Sequence, residues 1–399
     1  MTDFRAAPNF WLRKQLKWAV TFQRGHDLPD DAREEGPVPI YAGGGITGWH
    51  TESCASPPGI VTGRYGTIGE FHLVSTPYWP LNTALYSTDL HGNDAEYLRY
   101  LLDFLAPLFQ VHAGKSAVPG VDRNDIHTLP VALPGWDQQR RIAAFLGGET
   151  RRIDGLLAAK RCVLDLLAEK RKAIIATAVT RGLDPKVKLR DSGVPWLGEI
   201  PAHWGVVQSR RLFRVRNEPA RPSDRQLTAS QKYGMLPQSD FVELEGRRVV
   251  ELEKGVDSLR HVEPNDFVIS LRSFQGGLEW SKISGSVTFH YVVLVPIKWV
   301  HPPFFAHLFK SLPFIEALRS TATLIRDGQD LRFSHFTLVD LPIVPIDEQR
   351  KIAAHVDRET AKLDAVRAAT ERTIALLKER RSALIAAAVT GQLDITVAA

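Results

Sequence analysis

Cysteine is almost missing from this chain. Cys54 and Cys162 are the only two in 399 residues. They lie far apart, so they offer neither a disulfide framework nor a zinc site. No apolar run reaches the length of a membrane span, and residues 1–20 lack a signal-peptide core. These absences give the expectation of a cytoplasmic protein with no membrane contact. Catalytic signatures are scarce too. Ala113-Gly114-Lys115-Ser116 ends like a phosphate-binding loop, but Phe109 stands where the first glycine belongs. Gly43-Gly44-Gly45 reads as a tight turn rather than an anion cradle. Asp30 and Glu34 are not followed by the Glu-x-Lys of a nuclease set. There is no Asn/Asp-Pro-Pro-aromatic motif, no glycine-rich S-adenosylmethionine loop, and no HExxH spacing among the thirteen histidines. The expectation is a chain without a catalytic constellation or metal site of its own.

What is present is a repeat. Residues 137–184 recur as 347–394 at an offset of 210 with no gap, and roughly half the positions are identical. Both copies open on QR-x-IAA, share Glu149/Thr150 and Glu359/Thr360, and close on AVT at 178–180 and 388–390. Rich in Ala, Leu, Arg, Glu and Lys and free of proline, both read as long helices, N-capped at Asp137 and Asp347. Leu146, Ile153, Leu157, Leu164, Leu167, Ile174 and Ala178 alternate at steps of about three and four. Val356, Leu363, Ile374, Leu377, Leu384 and Ala388 follow the same register. Lys160, Arg171, Arg367, Thr370 and Arg381 interrupt these seams. Some 42 helical residues make a rod of about 60 Å, which cannot bury its stripe alone; the simplest partner is the other copy.

The net charge is +5. The first repeat carries ten Lys/Arg against six Asp/Glu and the second nine against eight, which is the whole of it. Any basic face on the remainder must come from local clustering.

The repeat extends beyond the helices. Residues 59–74 and 266–283 correspond at a shift of about 208, with Arg64 opposite Arg272 and Gly69 opposite Gly277. A helical stretch at 94–109 matches one at 303–318, and LPVALP at 129–134 matches LPIVPI at 341–346. The layout is therefore α+β: a globular segment (1–136), a helix (137–182), a connector (183–205), a second globular segment (194–346) and a second helix (347–394). Two like spacers could pack antiparallel as a coiled coil about a pseudo-two-fold axis and separate two unlike heads. That arrangement suits reading two short sequences on one duplex. Candidate DNA contacts are Arg64 and Tyr65, Lys115 and Ser116 in the first head. In the second they are Arg272, Ser273 and Gln275, then Arg326, Gln329 and Arg332. Arg and Gln are side chains that read guanine and adenine edges. Arg210, Arg211, Arg214, Arg216, Arg221 and Arg225 form a basic stretch fit for phosphates.

The chain resembles the DNA-specificity subunits of Type I restriction–modification systems. The carriers are LPVALPGWDQQRRIA and LPIVPIDEQRKIA, the AVT-x-G-L-D type close, and VPWLGEIPAHW. IYAGGGITG, GRYGTIG and IRDGQDLRFSHF also resemble target-recognition segments. The resemblance implies two target-recognition domains reading a bipartite double-stranded DNA site, with the helices setting its gap. It implies docking of two methyltransferase subunits, which hold S-adenosylmethionine, and through the complex restriction subunits that use ATP and Mg. This chain would then be a non-enzymatic subunit without cofactors. A coiled-coil scaffold whose heads bind protein, and a self-contained nuclease or methyltransferase, are the alternatives. One departure from symmetry is expected: the first head's approach to its helix (129–136) looks two residues longer than the second's (341–346).

Overall fold

A computed structural model supplies the structure and describes residues 4–5, 7–113, 120–246, 258–271, 273–321 and 331–395. The chain divides into two units: Met1–Arg161 with Glu371–Ala399, and Cys162–Thr370. The division cuts both long helices, Trp136–Arg181 and Ile346–Val389. Each unit thus holds one head, the start of the helix that follows it, and the end of the other helix.

In the first unit a four-stranded antiparallel sheet runs in the order Thr21–Arg24, Ala84–Asp89, Gly59–Gly63, His72–Val74. The helix Ala95–Ala113 covers one face, with Tyr97, Leu98, Leu101, Leu102, Leu105 and Phe109 buried against Phe22, Ile60 and Leu85. A hairpin, Val38–Ala42 and Gly45–His50, fills the interval between the first two chain-order strands of that sheet. In the second unit the sheet has the same order and sense: Phe213–Val215, Val292–Pro296, Phe267–Ile269, Glu279–Trp280. Its core is aromatic. Phe213, Phe267, Phe305, Phe309 and Phe336 meet at centroid distances of 5.2–5.8 Å, a spacing at which edge-on ring pairs add to simple burial.

The head helix expected at 303–318 is broken in the second unit, into Pro302–Phe309 and Leu312–Thr321. Ser311 turns its hydroxyl back to Leu308 O, 2.7 Å. Pro313 brings no N–H and disfavours helical geometry in the residue before it, so the chain restarts there.

The identities of the long repeat are packing faces. Ile142, Ala143 and Leu146 are buried in the first unit, and Ile352, Ala353 and Val356 in the second. Ala388 and Val389 close the first core, and Ala178 and Val179 the second. Gln139 and Gln349 are buried and do the same work. Gln139 Nε2 donates to Pro134 O (3.0 Å) and Asn93 Oδ1 (2.8 Å), and its Oε1 accepts Asp94 N–H. Gln349 Nε2 donates to Val344 O and Trp299 O, both 2.8 Å, and its Oε1 accepts His301 N–H. The seam's polar interruptions pair likewise. Asp154 meets Arg381 in the first unit at 3.2 Å, and Asp364 meets Arg171 in the second. It is one ion pair made twice, with the two copies exchanging roles.

The expected two-residue asymmetry is absent. Leu12 pairs with Leu133 and Gly205 with Ile343, and both buried glutamines reach back five residues. The two Leu-Pro pairs that suggested an insertion occupy different ladder positions. Just before each ladder lies a Pro-x-x-Trp, Pro8–Trp11 and Pro201–Trp204. The tryptophan of each packs on the glycine that ends the other half's long helix: Gly391 (φ 73°) against Pro8 and Trp11, Gly182 (φ 74°) against Pro201 and Trp204. Trp204 Nε1 also donates to Glu348 Oε2, 3.0 Å, and Trp196 Nε1 to Asp340 O, 3.0 Å. These bonds tie the connector down.

Replacing Gln139 by Leu removes the partners of Asp94 N–H, Asn93 Oδ1 and Pro134 O together. At roughly 1–3 kcal/mol for a buried polar group left unpaired, the first unit should unfold several degrees earlier. Differential scanning calorimetry of Gln139→Leu checks this, and an unchanged profile would show the bonds to be dispensable.

Candidate nucleic-acid interface

The second strand of the first head, Thr21–Arg24, ends at the mouth of a polar cleft of about 590 Å³. Gln23, Arg24, His26 and Asp27 line it from that side. Arg64 comes from the loop after Gly59–Gly63, and Asp122, Arg123 and Asn124 from the start of the short helix Arg123–His127. The local chemistry explains why these elements converge. Asp122 caps the short helix by accepting Asn124 N–H at 2.7 Å. Ile126 is buried in the core below. The His127 ring accepts Phe22 N–H through Nε2 at 2.9 Å, which ties helix to strand. Burial lowers the pKa of His127, and Arg123 and Lys17 nearby lower it further against Asp122, a direction that favours the neutral form able to accept that bond. The Arg64 backbone is held by Thr83 O and by Val121 N, both 3.0 Å. The Arg64 guanidinium lies 4.9 Å over the Tyr65 ring.

The carboxylates of the cleft are engaged: Asp122 in its cap, and Asp27 by the Asn82 amide. Arg24 is anchored through Nε to Asn82 O, 3.3 Å. Three arginines line the cleft against two carboxylates that are held by neutral donors and keep their charge, a small positive excess that favours an anionic partner.

The second head differs at the same strand. Arg216, just past Phe213–Val215, is buried and grips Asp266 with Nε at 2.8 Å and Nη2 at 3.1 Å, and Glu218 with Nη1 at 2.7 Å. Arg221 pairs with Glu263 and Arg225 with Asp240. The basic stretch read from the sequence is thus corrected: Arg216 is buried in its ion pairs and the exposed Arg221 and Arg225 are paired with carboxylates, while Arg210, Arg211 and Arg214 are exposed as well. At the opposite edge of the sheet lies a second cleft of about 290 Å³, lined by Gln231, Tyr233, Met235, Trp280, Lys282 and Lys310 around Glu279. Burial pushes the Glu279 carboxyl above the usual range, against the opposing pull of Lys310.

Among the expected contacts, Arg64 and Tyr65 stand at or beside the first cleft. Gln275 is exposed in the short helix Ser273–Gly276. Ser273 is a correction: it is 1% exposed and its hydroxyl accepts Ser270 N–H at 2.8 Å, so it closes a turn instead of meeting solvent. Arg332 is exposed at the start of the helix Phe333–Phe336, 210 positions after Asp122. Lys115, Ser116, Arg272, Arg326 and Gln329 lie outside the described residues. Sequence reading missed Gln23, Arg24, Arg123 and Asn124. The one available signal was Asp122-Arg123-Asn124 as a cap-and-first-turn string. Among the described residues no group of three or more His, Cys, Asp or Glu could hold a metal, and no helix is long and apolar enough to cross a membrane.

Comparison with known proteins places this architecture beside the S subunits of Type I restriction–modification systems. A chain from a structure on complex assembly and conformational transition of the type I R-M system matches with a TM-score of 0.69 at 14% identity, covering 97% of this chain and 99% of that one. The HsdS subunit from Thermoanaerobacter tengcongensis matches at 0.50 and 16%, covering 97% and 98%. At such identities the likeness is one of fold. In sequence, the chain is 28% identical over 144 residues to the Type I restriction enzyme StySPI specificity subunit of Salmonella potsdam. It is 28% identical over 147 residues to the EcoKI specificity subunit of Escherichia coli strain K12. Each match takes in 35% of this chain and spans 31% of the relative's length. No protein-family model matches. The likeness to curated specificity subunits thus spans about a third of their length.

Proposed function

We propose that this chain is the DNA-recognition subunit of a Type I restriction–modification complex. Each head reads one half of a bipartite duplex target. The paired long helices act as a coiled-coil spacer that sets the gap and carry two methyltransferase subunits, with restriction subunits joining through the complex. S-adenosylmethionine, ATP and Mg belong to those partners, and the chain itself catalyses nothing. It works in the cytoplasm, where its DNA is.

The observation that carries this reading is a scaffold used twice with different surfaces. The faces joining helix to head recur at the 210 offset, as Gln139/Gln349, Ile142/Ile352 and Ala143/Ala353, whereas Asp122, Arg123 and Asn124 at the first cleft give way to Arg332, Phe333 and Ser334 in the second head. Selection for one rigid frame bearing two different readers explains that division.

Mapping of methylated bases by single-molecule sequencing, in cells expressing the chain with its methyltransferase subunit, tests it. A bipartite motif of fixed gap that vanishes without this chain is expected; a continuous motif, or methylation independent of the chain, defeats the reading. A matched deletion sharpens the test. Removing 157–163 and 372–378 together keeps both Asp–Arg pairs in register and shortens the rod by about 10 Å. The accepted gap should shrink by about three base pairs at roughly 3.4 Å each, with both half-sites retained. An unchanged gap would refute the spacer role.

A further inference from the structure

The first cleft supports a finer assignment, which rests on the function proposed above. Gln23, Arg24, Arg123 and Asn124 are all exposed and line one cleft from two separate elements. Their ends are guanidinium and carboxamide groups, those whose paired donors and acceptors match the major-groove edges of guanine and adenine. Both elements are held in place before any ligand arrives. The strand and short helix are joined by the Phe22–His127 bond, the helix start is capped by Asp122, and Arg24 is fixed at Nε by Asn82 O. A reader needs that rigidity, because a loose side chain cannot discriminate between base edges. The second head offers an internal comparison. At the same short helix the buried anchor persists, Ile126 in one unit and Phe336 in the other. The first-turn residues change from Asp122, Arg123 and Asn124 to Arg332, Phe333 and Ser334. The scaffold is kept and the surface is altered where two heads of different specificity should differ.

We propose that Gln23, Arg24, Arg123 and Asn124 are the base-reading residues of the first head. Arg123 and Arg24 take guanine, Gln23 and Asn124 take adenine, and Arg64, stacked on Tyr65, holds the adjoining phosphate.

The test uses the full chain assembled with its methyltransferase subunit and duplex libraries randomised over one half-site at a time. Arg123→Ala and Asn124→Ala should each relax selection at one or two positions of a single half-site, by about tenfold or more per position. The other half-site and the gap should stay as they were. Arg123→Gln separates base reading from simple charge: a changed base preference at one position of that half-site supports reading, and selection identical to wild type at every position overturns it. Arg64→Ala should weaken binding evenly across sequences and flatten its salt dependence. Selection unchanged in both half-sites for the Arg123 and Asn124 variants would overturn the assignment while leaving the two-headed reading intact. A wild-type complex that selects no bipartite sequence would remove both.

Discussion

Gly277→Ala should abolish the fold of the second head. The residue sits at φ 77°, and a Cβ there would lie 1.9 Å from Phe309 O and 2.9 Å from its carbonyl carbon. Both obstacles are backbone, at the end of a helix whose Phe304, Phe305, Leu308 and Phe309 are all buried, so neither can give way. Left-handed strain adds to the overlap. A loss of about 4 kcal/mol or more is expected, in the range reserved for such special positions. Gly69, at the matching place in the first head, provides the control. Its φ is 89°, but its Cβ would meet the Ala106 methyl at 3.1 Å, which leaves mainly the backbone strain. Limited proteolysis with mass-spectrometric mapping should show Gly277→Ala opening residues 258–321 while Gly69→Ala is merely loosened. Equal resistance of the two variants would mean the close approach to Phe309 is not real in solution.

The other large effect is expected at Asp266→Ala. Asp266 is 2% exposed and takes a two-pronged grip from Arg216, while its Oδ2 also accepts Glu263 N–H at 2.8 Å. Truncating it strands a buried guanidinium. Breaking one side of a buried pair costs about 3 kcal/mol or more, even though Glu218 and Glu263 remain within reach of Arg216. For a unit of this size that corresponds to a drop in melting temperature of about 10 °C. The double change Arg216→Met with Asp266→Leu removes both charges and should recover much of the loss, since a packed apolar pair can replace a buried ion pair. Calorimetry of the single and double variants decides the matter: a single variant as stable as wild type, or a double variant no better than the single, would contradict the account.

The frame was legible in sequence where local chemistry and periodicity coincide. QR-x-IAA and AVT recur because the same residues face both cores, and an offset repeat exposes that without any structure. The Pro8–Trp11 clasp escaped notice because it matches Pro201–Trp204 at a spacing of 193, not 210, in only two letters. The arginine run at 210–225 looked cationic because, Glu218 apart, the carboxylates it pairs with sit elsewhere in the chain; Asp266 is fifty residues beyond Arg216. Ser273 looked like a loop side chain because nothing local announces that its hydroxyl closes a turn. Of the first cleft, only Arg64 was visible, since the other members come from a strand end and a helix start a hundred residues apart. Contacts made by folding across long separations leave no periodicity to read.

The exchange of helix ends also imposes an order of events during synthesis. The core of the first head is completed by Ile385, Ala388 and Val389, more than two hundred residues after its own helix begins. At about 5–20 residues per second, the finished head waits roughly ten to forty-five seconds for the strip of helix that seals it. In that interval Trp11, Ile142 and Leu146 lack the apolar cover they have in the native state. A nascent chain stalled before residue 371 should therefore remain open to protease at its first head, long after that head has emerged from the ribosome.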